Sequence, residues 1–198
     1  MKFDKNTTAL LLIGYQNDYF SEDGILTGVV DETLKELNVL DNTLHLIQNL
    51  PEEVLIVSTP IIFSDDYSEL LDPVGILDTI KTVGAFKTKT KGAQVIPEII
   101  KFGERILEIP GKHGLNAFVG TSLENTLQKN NIKTIILAGC VCSICIDSTG
   151  RSAFDKDYSV IMASDCISGR TIFEQNFYCT EVFPLYSNVL ASKEILNE

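Results

Sequence analysis

Six short apolar runs punctuate the chain, at residues 8–14 (TALLLIG), 54–59 (VLIVST), 105–109 (RILEI), 133–138 (KTIILA), 159–163 (SVIMA) and 187–191 (SNVLA). Each is too short for a preferred helix, and most are apolar at nearly every position, the mark of strands buried on both faces of a parallel sheet. Between them the apolar spacing changes to steps of three and four. Leu34, Leu37, Leu40, Leu44, Ile47 and Leu50 predict one long helix over 31–50, with Asp31 as its N-cap and Pro51 as its stop. Residues 121–124 (TSLE) have the form of a capping box opening a helix through Leu127, and another helix is expected from about Ile172. Strands alternating with helices predict an α/β fold of three layers, α/β/α, in which right-handed crossovers flank a six-stranded parallel sheet in the Rossmann-like manner. The stretch after Pro60, with Asp65, Asp66, Glu69 and Asp72, reads as an excursion over the active edge, and residues 81–91 (KTVGAFKTKTK) as a solvated surface segment. No repeat, low-complexity tract or linker interrupts the pattern, so 1–198 is expected to be a single domain.

One stretch concentrates the chemistry. In residues 133–147 (KTIILAGCVCSICID) a buried strand runs into Gly139, which is expected to end it. The spacing then turns helical through Ile146, Ala153 and Phe154. Cys145 thereby falls near the first turn of a helix leaving the C-terminal edge of the sheet, where open α/β sheets carry their ligands. The positive end of a helix favours a thiolate over a thiol.

The bulk numbers narrow the choice of function. The formal net charge is −11, from 16 Lys+Arg against 27 Asp+Glu, a poor match to a nucleic-acid backbone or an anionic membrane. Neither nucleic acid nor a membrane is expected as a partner. No segment is long enough to span a bilayer, and the N-terminal residues lack the layout of a signal peptide. The five cysteines are odd in number, and three crowd into Cys140, Cys142 and Cys145, unlike a secreted disulfide framework. A reduced, cytoplasmic protein is expected. Cys140-x-Cys142-x-x-Cys145 lacks the second Cys/His cluster that a zinc site needs, and the histidines are His45 and His113 alone, so neither metal nor cofactor is expected.

In a parallel sheet, Gly14, Lys112 and Cys145 all lie just beyond the C-terminal ends of strands and can share a pocket. A nearby ammonium stabilises a thiolate, which makes Lys112 the natural companion of Cys145.

The runs LLLIGYQNDYF, KHGLNAF and AGCVCSICIDSTGRSAFDKDYSVIMASDCISG resemble the isochorismatase-like cysteine hydrolases, a family that includes nicotinamidases and other amidohydrolases. The resemblance covers nearly the whole chain. It implies a catalytic set of Cys, Lys and Asp on a six-stranded parallel sheet. Carried onto this sequence, the nucleophile is Cys145, with Cys142 where Thr is usual, and the lysine is Lys112, with Asn116 replacing Ser before Ala117 and Phe118. A non-proline cis peptide is expected between Cys140 and Val141, where it would aim backbone N–H groups at an oxyanion. The family aspartate falls on Gly14, which has no side chain for proton transfer, leaving Asp18 and His113 as candidates for that role. Gly14, Gln16, Phe20, Asn116 and Cys142 are expected around the pocket.

Lacking that aspartate, the chain is not expected to hydrolyse isochorismate. Lacking Asp and two His after the second strand, it is not expected to be a metal-assisted nicotinamidase. The resemblance implies a homo-oligomer that hydrolyses a small amide or related acyl compound through a thioester on Cys145. Two alternatives stay open: a binding or structural protein impaired by Gly14, and a thiol redox protein using Cys142 and Cys145.

Overall fold

The computed structural model describes residues 3–197. Its strands are β1 Thr8–Ile13, β2 Leu55–Thr59, β3 Leu107–Glu108, β4 Thr134–Cys140, β5 Ser159–Ser168 and β6 Asn188–Leu190. They form one sheet in the order β3-β2-β1-β4-β5-β6, every neighbouring pair parallel. The helices are α1 Asn17–Phe20, α2 Asp31–Glu36, α3 Val39–Asn49, α4 Ile76–Val83, α5 Pro97–Ile100, α6 Leu123–Lys129, α7 Asp147–Asp155, α8 Ile172–Phe177 and α9 Ser192–Leu196. Among the described residues no helix is long and apolar enough to cross a membrane.

Central β1 is buried at every residue because both its faces are covered. Ala9, Leu11 and Ile13 point to one face, where Leu123 and Leu127 of α6 and Ala153 of α7 complete a core. Leu10 and Leu12 point to the other, where Leu46 and Ile47 of α3, Ile99 of α5 and Ile195 of α9 complete a second. A third apolar cluster, with Tyr19, Ile61, Phe63, Ile80 and Phe86, roofs the C-terminal edge near Cys140 and Val141.

Several elements depart from the sequence pattern. The helix expected over 31–50 is two helices, broken at Asn38, whose φ of 50° is left-handed. Its leucines keep one period but serve two surfaces: Leu34 packs on the roof, Leu46 and Ile47 on the sheet. Asp31 is the first helical residue, not the cap. The capping box at 121–124 does not form, since the Ser122 side chain makes no cap bond and Leu123 N–H donates instead to Thr121 Oγ1 at 3.2 Å.

The third strand shrinks to two residues because Arg105 turns inward, donating to the Val54 and Pro51 carbonyls at 2.9 and 3.0 Å. The segment at 81–91 is not simply solvated: it ends α4 and buries Ala85 and Phe86 completely. Gly139 does not end β4, which runs on to Cys140. With φ at +124°, a Cβ there would stand 1.8 Å from the Ile13 carbonyl oxygen, so glycine is what lets β4 press against the end of β1.

Candidate active site

The ends of β1, β2 and β4 meet one pocket. Lys112 is held there by a parallel bridge to Ile61, two residues beyond the end of β2 at Thr59. Its side chain is 1% exposed. A buried ammonium is costly unless its donors are met. Here Nζ donates to the Gly114 carbonyl and lies 3.5 Å from Cys145 Sγ. Cys145, 8% exposed, sits on a single π-helical turn, Cys142–Ile146, that leads directly into α7. Such turns are frequent at functional sites.

Around this pair the walls are apolar. Ile13, Ile61, Leu115 and Ile144 face it from the sheet edge and its loops, while Ile76, Leu77 and Ile80 of α4 close it from above. The enclosed space is about 10 Å³, room for one water-sized molecule.

On the other side of the pocket stands Gly14, at φ +78°. A Cβ built there would meet Cys140 Sγ at 2.7 Å, the Cys140 carbonyl oxygen at 2.9 Å and the Tyr19 ring at 3.6 Å. The thiol and carbonyl of Cys140 thus occupy the volume that a side chain at position 14 would need, with the Tyr19 ring in ordinary contact beside it. Burial pushes the Cys140 thiol far above its ordinary range, and negative charge on Cys145 would push it further; Lys112 opposes this weakly. Burial likewise holds the Tyr19 phenol in its neutral form, reinforced by Cys140, Cys145 and Asp18. The Cys140–Val141 peptide bond is cis, and Val141 is fully buried behind the pocket.

Of the residues singled out from sequence, the structure gathers Cys145, Lys112, Gly14 and Cys140 around one space. The others lie outside its lining. Asp18 is buried, with Oδ2 accepting from Phe86 N–H at 2.6 Å, and it packs so closely on Gly92 that a Cβ there would be 2.0 Å from Oδ1. It is a clasp for the returning chain. His113 faces Phe63, with ring centroids 5.9 Å apart. Gln16 spends its amide on the backbone of Ile61 and Ala93. Phe20 stacks on Tyr15, and Asn116 Oδ1 accepts from Phe118 N–H. Cys142 is fully buried in the core beside α6 and α7, where desolvation pushes its thiol far up.

Besides the apolar walls, two polar-bearing lining residues were not singled out from the sequence: Tyr19 and Thr59. Thr59 closes β2 and is wholly buried, yet its hydroxyl has no hydrogen-bond partner among the described residues. Its position at the C-terminal end of a buried strand was the available signal.

A parallel three-layer sheet with a buried ammonium held against a buried thiol at its C-terminal edge defines an α/β protein with a lysine-paired cysteine site. The chain belongs to the isochorismatase family: the family's isochorismatase domain matches residues 8–194. It is 33% identical over 86 residues, 43% of this chain and 46% of the relative, to the isochorismatase family protein YecD of Escherichia coli O157:H7. The match to that relative thus spans about half of its length. Among solved structures, the fold is similar to a cysteine hydrolase from Pseudomonas syringae pv. phaseolicola 1448A, with a TM-score of 0.85 at 18% identity over 98% of this chain and 93% of that one. It is also similar to N-carbamoylsarcosine amidase from Thermoplasma acidophilum, with a TM-score of 0.71 at 21% identity over 96% and 98% of the two chains.

Proposed function

We propose that this protein is a cysteine-dependent hydrolase of small amides or related acyl compounds. The observation that carries the reading is the contact of 3.5 Å between Lys112 Nζ and Cys145 Sγ inside a nearly closed apolar pocket. In the proposed reaction Sγ attacks the amide carbonyl carbon. The S–C bond forms, the C–N bond breaks, and the amine departs with the proton that the thiol gave up. Water then cleaves the thioester to a carboxylic acid and restores the thiol. Lys112 is the titratable group within hydrogen-bond reach of the sulfur and serves both as counter-charge and as proton carrier. Backbone N–H groups at Val141 and Cys145 serve the oxyanion. Because the resting pocket holds one water-sized molecule, α4 has to yield before an amide enters. Family membership and the likeness to an amidase of the same fold support the reading.

If the family's aspartate corresponds to Gly14, as the resemblance implies, the proton route above runs without it. That absence favours a second reading, a binding protein on the same scaffold, since no carboxylate lines the pocket among the described residues. Intact-mass spectrometry after incubation with a panel of small amides and activated acyl compounds separates the two. An acyl adduct mapped to Cys145, absent in Cys145→Ala, supports the hydrolase. Ligand retained without any adduct across the panel supports the binding protein.

A further inference from the structure

One fully buried polar side-chain atom of the pocket lining has no partner among the described residues. Thr59 Oγ1 is completely buried and unpartnered among the described residues, although it lines the same space as Cys145 and Lys112. A buried hydroxyl without a partner destabilises the fold, and such atoms are retained where something else pairs with them. Methyl-bearing walls surround it: Ile13 is its neighbour across β1, and Ile61, Ile76 and Ile80 stand around the space.

No acidic side chain lines the pocket among the described residues, so a cationic ligand would be buried without a counter-charge. The single cation, Lys112, already serves Gly114 and Cys145 with two of its three donors. A ligand carboxylate would compete with the sulfur for the ammonium on which the reaction depends. What the lining satisfies is a short aliphatic chain ending in an uncharged group that can both give and take a hydrogen bond, as a hydroxyl does.

We propose that Thr59 is the specificity-determining residue of this site, its hydroxyl pairing with the amide group of a small, uncharged aliphatic amide, so that neutral amides are taken in preference to carboxylate-bearing ones. This rests on the hydrolase reading for the chemistry, but binding can be measured without turnover. In the full chain carrying Cys145→Ser, ligand-observed NMR titrations compare n-butyramide with succinamate, a related amide bearing a carboxylate. The expected result is butyramide bound at least ~10-fold more tightly than succinamate, and weakened ~10-fold by adding Thr59→Val, which keeps the shape and removes the hydroxyl.

Thermal unfolding supplies a readout that a structural hydroxyl would move the other way. Thr59→Val is expected to raise Tm by about 2–4 °C, because it removes an unpaired buried polar atom. Succinamate binding as tightly as butyramide, no butyramide binding, an affinity indifferent to Thr59→Val, or a lowered Tm would each overturn the proposal. A neutral preference without any Cys145 acyl adduct in the parent protein would sink the hydrolase reading alone. An adduct without the preference would sink this inference alone.

Discussion

The two sides of the pocket are built on opposite terms. At Cys145 and Lys112 a sulfur and a lysine nitrogen are brought within 3.5 Å and left facing the space, at some cost in burying a polar pair. At Gly14 and Cys140 there is no spare room: the thiol of one residue fills the volume beside the backbone of the other, and burial keeps that thiol protonated. One side leaves polar groups facing the space and the other is filled by packing. The lack of a side chain at position 14 is therefore matched by how its neighbour Cys140 packs.

The sharpest way to break this contrast is to remove the sulfur of the reactive side. Cys145→Ala is expected to lower turnover of any substrate amide by at least ~10³-fold, read from steady-state kinetics, because no other thiol lines the pocket except the packed Cys140. If Cys145→Ala kept its activity, the division of labour between the two thiols would be reversed. Next in size is Lys112→Met, which keeps the aliphatic stem and deletes the charge. A drop of ~10²-fold in the rate of Cys145 acylation is expected, with a Tm measurement separating lost chemistry from lost fold.

The packed side is tested by refilling it. Gly14→Asp is expected to destabilise the protein by about 2–3 kcal/mol in urea denaturation, from a left-handed backbone and a Cβ 2.7 Å from Cys140 Sγ. Adding Cys140→Ala should recover part of that loss, and a Gly14→Asp variant as stable as its parent would show that the space is not filled.

The smallest effect concerns pH. Below the ordinary thiol pKa of ~8.5 Cys140 is protonated whether folded or unfolded, so stability does not depend on it. Above that value the unfolded chain gives up the proton and the folded chain, its thiol pushed up by burial, keeps it, so stability falls as pH rises. One such thiol is worth about 0.8 kcal/mol between pH 7 and pH 9. Cys140→Ala should flatten the alkaline decline by that amount, and an unchanged slope would place the thiol's burial in doubt.

The sheet was legible in the sequence because parallel strands buried on both faces leave near-continuous apolar runs, and all six lie where those runs are. Helix limits were less so. The leucines over 31–50 keep a regular period through Asn38, and only the presence of two separate surfaces for them to cover explains the break. Helix α4 went unread since Ile76, Leu77 and Ile80 lie in a long polar excursion, and they become a wall only when that excursion folds back over β1 and β4. Lys112 and Cys145 stood out through motif and position. Asp18 looked equally well placed, at the loop after β1, but Phe86 and Gly92 come from far along the chain to claim its carboxylate. Thr59 offered no motif at all, as an unpaired hydroxyl exists only in three dimensions.

The crowding between Gly14 and Cys140 also couples any change at the two positions. A side chain entering at position 14 meets two atoms of residue 140, Sγ at 2.7 Å and the carbonyl oxygen at 2.9 Å, so shrinking residue 140 relieves the first contact and leaves the second. The two positions are coupled through backbone as well as side chain, and filling the corner at position 14 asks the end of β4 to move as well as residue 140 to shrink.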